Sequence, residues 1–100
     1  MMARRDLSRV MFPKQQKILS VFGEDLLLAC KRRGLTKQMV CERTGFDPKT
    51  INKVFAGDAG VAIGTYIKVL SVLGMEDNFA KIAAYDEVGI KLQNIKLLGG

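Results

Sequence analysis

Single glycines cut this chain into helix-length pieces. Between Lys14 and Gly57 the apolar residues recur at steps of three and four, and Gly34, Gly45 and Gly57 interrupt them. Such a period lays one apolar stripe along an α-helix, whereas a half-buried strand needs strict alternation. A glycine at the close of each piece accepts the left-handed turn that stops a helix. Strand-type alternation is nearly absent, so the pattern predicts an all-α fold of about five short helices. One hundred residues is the length of one domain with room for one modest core.

The pieces can be placed. Residues 1–13, with Arg4, Arg5, Arg9 and a proline, predict a flexible basic arm, and residues 14–85 form the folded domain. From Lys14 to Arg33 the stripe is Ile18, Leu19, Phe22, Leu26, Leu27 and Cys30, and Lys31, Arg32 and Arg33 load the last turn, where cations suit the helix dipole. Thr36 offers a capping oxygen to a second helix, Lys37 to Thr44. Asp47 followed by Pro48 starts a third, Pro48 to Ala56: a capping carboxylate, then a residue already set for the first helical position. A fourth, about Gly64 to Leu73, presents Ile63, Ile67, Leu70 and Leu73, and a fifth, about Glu76 to Ala84, presents Phe79, Ile82 and Ala83. Residues 86–100 form a C-terminal tail of open character. Val88, Leu92 and Ile95 fit a helix there, while Ile90 and Leu92 alternate as in a strand.

Composition narrows the chemistry. The chain has no histidine and two cysteines, Cys30 and Cys41, set 11 residues apart on apolar helix faces. No Cys-His or Ser-His pair can be built, no zinc spacing is matched, and the thiols read as small buried hydrophobes. We therefore expect no enzyme, no metal and no cofactor. No apolar run approaches the roughly 20 residues of a membrane span. No cleavable apolar leader follows the charged N-terminus, so a cytoplasmic protein without a membrane partner is the expectation.

Charge says more once it is located. The net charge is +6, and residues 31–53 alone carry seven basic side chains (Lys31, Arg32, Arg33, Lys37, Arg43, Lys49, Lys53) against Glu42 and Asp47. From Val54 onward the balance is four basic to five acidic. A positive face in one half suits a polyanionic partner. Within that half, Lys37–Thr44 and Pro48–Ala56 read as a helix-turn-helix, with small Cys41 inside the first helix, Gly45 at the turn, and Ile51, Val54 and Phe55 inward on the second. Lys49, Asn52 and Lys53, with Thr50 beside them, are left outward. A helix presenting such groups fits the major groove of DNA, where lysine matches guanine acceptors and asparagine matches adenine.

The run Leu35-Thr36-Lys37-Gln38-Met39-Val40-Cys41-Glu42-Arg43-Thr44-Gly45, followed by Thr50-Ile51-Asn52-Lys53-Val54, resembles the XRE family of repressor-type helix-turn-helix proteins. Extended through Gly57-Asp58-Ala59-Gly60-Val61-Ala62-Ile63-Gly64-Thr65-Tyr66 and Lys68 to Gly74, the stretch from about Phe22 to Asn94 is similar to HipB-like antitoxins. The resemblance implies a lambda-repressor-like fold and a repressor of its own operon that binds a HipA-like kinase toxin. It puts Lys37, where the family usually has glutamine, at the groove edge with Gln38 beside it. It makes Pro48, Lys49, Asn52 and Lys53 the base readers, with Thr50 as a phosphate or base neighbour; Pro48 offers only apolar contact.

Where many relatives pair an arginine and a glutamate between the first and third helices, this chain has Cys30 and Phe55. Replacing both partners of a buried ion pair by apolar groups is often neutral, so we expect the two side chains to meet in the core. A two-fold homodimer on a palindromic operator is expected, with the fifth helix and the tail Val88 to Leu98 as the interface unless the tail packs on its own domain. A stand-alone repressor and a protein-binding helical adaptor are the rival roles.

Overall fold

The structure, a computed structural model, describes residues 10–99. Among the described residues there are six helices: α1 (Pro13–Arg32), α2 (Lys37–Thr44), α3 (Pro48–Phe55), α4 (Ile63–Val72), α5 (Glu76–Ala80) and α6 (Glu87–Gly99). No strand occurs among the described residues, so the fold is all-α as expected. The arm arginines Arg4, Arg5 and Arg9 lie outside the described residues.

The helix ends follow local chemistry. Pro13 opens α1, and the Phe12 backbone N–H donates to Gln15 Oε1 at 2.9 Å, closing the first turn. At the other end Leu35 N–H donates to the Cys30 carbonyl and Gly34 N–H to that of Lys31, the six-to-one and five-to-two pair of a Schellman stop. Thr36 Oγ1 accepts from the Met39 N–H at 3.2 Å and caps α2. The tail, left open between helix and strand, is a helix. Asp86 Oδ1 accepts from the Gly89 N–H at 3.0 Å, an N-cap that a strand could not use.

The core is built from Leu26, Ala29 and Cys30 of α1, Val40 of α2, Ile51, Val54 and Phe55 of α3, and Tyr66, Val69 and Leu70 of α4, with Leu73 just beyond. α1 packs on α3, α2 on α3 and α4, and α4 on α5. Cys30 and Phe55 are both buried in this one cluster. Burial pushes the Cys30 thiol pKa up, against a smaller pull downward from Arg33.

Three sequence expectations shift. Ile18 was placed on the buried stripe of α1 but is exposed, because α1 is about 30 Å long and buries only residues between Gly23 and Cys30. In α4 the inward face is Tyr66, Val69, Leu70 and Leu73, so Leu70 and Leu73 hold while Ile63 and Ile67 point out. α5 stops at Ala80 rather than Ala84; Phe79 is half-buried, but Ile82 and Ala83 are exposed.

One crossing fixes the position of α3. A Cβ on Gly23 would stand 2.5 Å from the Gly57 nitrogen and 2.6 Å from the Phe55 carbonyl oxygen. Gly57, at φ 69°, stops α3 and lies against the Leu19 carbonyl. α1 and the end of α3 thus touch backbone to backbone, a distance only glycine permits.

Candidate nucleic-acid interface

α2 and α3, eight residues each, are joined by three residues, Gly45, Phe46 and Asp47. Gly45 closes α2 at φ 81°, and its N–H donates to the Cys41 carbonyl at 2.8 Å. The Thr44 hydroxyl, buried under this turn, donates to the Val40 carbonyl at 2.7 Å and accepts from the Phe46 N–H at 3.2 Å. Asp47 Oδ1 then accepts from the Thr50 N–H at 2.7 Å and starts α3. These bonds tie the end of α2, the turn and the start of α3 together.

Ile51 and Val54 are wholly buried and Phe55 nearly so, which commits one side of α3 to the core. At 100° per residue Lys49, Asn52 and Lys53 fall on the opposite arc, with Pro48 at its border beside Phe55. All four are exposed, and Thr50 sits half-buried at the edge of that arc. Lys37 and Gln38 are exposed on the first turn of α2, a separate element. Gln38 Nε2 donates to Glu42 Oε1 at 3.3 Å along α2, so a partner of this amide would compete with that bond. Neither Lys49 nor Lys53 forms a salt bridge among the described residues.

Asp47 complicates the electrostatics. Its carboxyl is held below the usual range first by the hydrogen bonds from Thr50, then by the nearby charges of Lys49 and Lys53. The cap of α3 is therefore an anion set against the cationic arc. It makes the face less positive than the lysine count implies. Thr44 and Gly23 were not singled out in the sequence, although both hold α3 in place. The sequence cue for the first is a threonine directly before the glycine that ends α2.

The loop after α3 is also ordered. Asp58 Oδ1 accepts from the Gly60 N–H, and the Tyr66 hydroxyl donates to the Asp58 carbonyl, both at 2.6 Å. Among the described residues no group of histidine, cysteine and carboxylate side chains is placed to hold a metal ion. No helix there is long and apolar enough to cross a membrane. Comparison with protein-family models, with curated proteins and with solved structures returned no match.

Proposed function

We propose that this chain is a sequence-specific DNA-binding protein, a transcriptional repressor that inserts α3 into the major groove. The observation that carries this reading is the two-sidedness of α3. Ile51, Val54 and Phe55 anchor it in the core, while Lys49, Asn52 and Lys53 stand exposed on the other side. An eight-residue helix with capped ends and a rigid turn behind it presents those groups as a unit. Lys49 and Lys53 are donors for guanine O6 and N7 or for phosphate, and Asn52 is suited to adenine N6 and N7. Lys37 supplies a phosphate contact from α2, and Pro48 an apolar one. A two-fold protein on a palindromic operator in the cytoplasm completes this reading.

The narrower role follows the resemblance of residues 22–94 to HipB-like antitoxins: repression of the chain's own operon and capture of a HipA-like kinase. A kinase-like reading frame beside this gene, and a complex between the two products, are the results that role requires.

The DNA reading is tested by an electrophoretic shift with DNA from upstream of the gene at graded salt. Binding should weaken steeply as salt rises, because each phosphate-bound cation displaces condensed counterions. Absence of a shift at low salt would overturn the reading and favour the adaptor.

A further inference from the structure

α6 and a groove beside α5 are each left open, and each has what the other lacks. Phe22 and Leu26 of α1, Leu70 of α4, and Met75, Phe79 and Ile82 line an apolar groove of about 420 Å³. Asp25, Arg32 and Asn78 supply its polar wall. α6 belongs to none of the packed helix pairs, and from Glu87 to Leu97 every residue except Gly89 is exposed. Val88, Leu92 and Ile95 share one face at spacings of four and three, yet they are 68%, 57% and 65% exposed. Ile90 and Leu97 are exposed on the opposite face. A 13-residue helix is marginal alone in water, and a helix apolar on opposing faces belongs in an interface.

We propose that the groove of one copy receives α6 of a second copy, the Val88–Leu92–Ile95 face inward, and that two such contacts close a symmetric dimer. Charge selects this occupant and its direction. Asp25 and Arg32 stand seven residues apart on α1, about 10 Å along a helix. On α6, Glu87 and Lys91 lie on one flank of the apolar face, about 6 Å apart along the axis, and Lys96 lies on the other flank. With that flank laid against α1 and α6 running antiparallel to it, Glu87 comes beside Arg32 and Lys91 lies towards Asp25. Lys91, which bridges Glu87 at 3.2 Å on the exposed helix, comes down on the same side as Glu87. Glu76 and Asp77, exposed at the start of α5, add negative charge near a helix that carries two lysines. The contact is reciprocal, so one kind of interaction made twice satisfies both open surfaces and leaves no edge for further addition.

This interface deepens the DNA-binding reading by giving it a two-fold axis, yet it stands on different residues and is tested without DNA. Sedimentation of the full chain across the micromolar range should show a dimer. Ile82→Glu alters the groove at a side chain that is 69% exposed. Leu92→Glu alters α6. Each should weaken the dimer about tenfold or more, the cost of losing one apolar anchor. Mixing the two variants restores one of the two helix-in-groove contacts, so the mixture should associate more strongly than either alone. The proposal is overturned by a wild-type chain that stays monomeric. It is also overturned by variants that leave the dimer intact, by an effect of Leu92→Glu alone (α6 pairing with α6), or by a mixture no stronger than its components. Because DNA is absent throughout, failure here leaves the role of α3 to its own shift experiment.

Discussion

The Tyr66 hydroxyl donates to the Asp58 carbonyl at 2.6 Å, and its ring stacks on Phe22 with centroids 5.3 Å apart. Burial, helped by the charge of Asp58, pushes the phenol from its ordinary 10.0 up to about 12. A raised folded-state value means that the protonated phenol stabilises the fold. That stability is fully present below pH 10 and is lost as pH rises towards 12. Two pH units correspond to roughly 3 kcal/mol. Urea midpoints measured from neutral pH to pH 11 should therefore fall for the wild-type chain, and Tyr66→Phe should flatten that part of the fall. On the proposed reading face, Asn52→Ala should cost about 1–3 kcal/mol of binding and relax preference at one base pair. Lys37→Ala should instead weaken all sequences alike and reduce the salt slope by about one. Binding titrations on the operator and on a scrambled duplex separate the two outcomes. Lys49 and Lys53 were legible in the sequence as outward cations. The negative charge that Asp47 sets beside them was not, because a cap reads in sequence as local chemistry.

At the level of elements, α2 and α3 were readable nearly to the residue, since Thr36, Gly45, Asp47 and Pro48 each act within one turn of where they stand. α4 was not. Its apolar residues spread over a wide arc opposite Gly64, Lys68 and Ser71, so Ile63 and Ile67, at one edge of that arc, read as core positions alongside Leu70 and Leu73. The structure centres the buried face on Tyr66 and Leu73, with the Tyr66 hydroxyl bonded to the Asp58 carbonyl. α5 ended early for a related reason: Ile82 and Ala83 find no core to cover, and a chain without packing gains little from another helical turn. The crossing of α1 on α3 yields a direct test. Gly23→Ala pushes a methyl into the Gly57 and Phe55 backbones and should destabilise the chain by about 1–3 kcal/mol, read as a lower thermal midpoint. Thr36→Ala, which removes only a cap, should cost about 1 kcal/mol.

The whole molecule is longer than its residue count requires. Its radius of gyration is 17.3 Å and its principal extents are 57 × 37 × 25 Å, whereas a compact chain of this length has a radius near 13 Å. α6 stands clear of the core, and the N-terminal part of α1 projects as well, with Ile18 and Val21 exposed. If a second copy covers α6, association and folding are linked. The thermal midpoint should then rise with protein concentration in the wild type, and Leu92→Glu should abolish the rise. A midpoint independent of concentration would count against a dimer.

Helix content, the two short helices and their turn, and the outward set Lys49, Asn52 and Lys53 were determined by the sequence itself. Each depends on caps, glycine stops and a three-to-four period that act over a few residues. Three things were decided only in the tertiary structure: how much of the wide apolar arc of α4 is covered, the backbone contact of Gly23 with Gly57, and the isolation of α6 beside an empty apolar groove. These depend on residues far apart in the chain arriving at one place, and no local pattern carries that information.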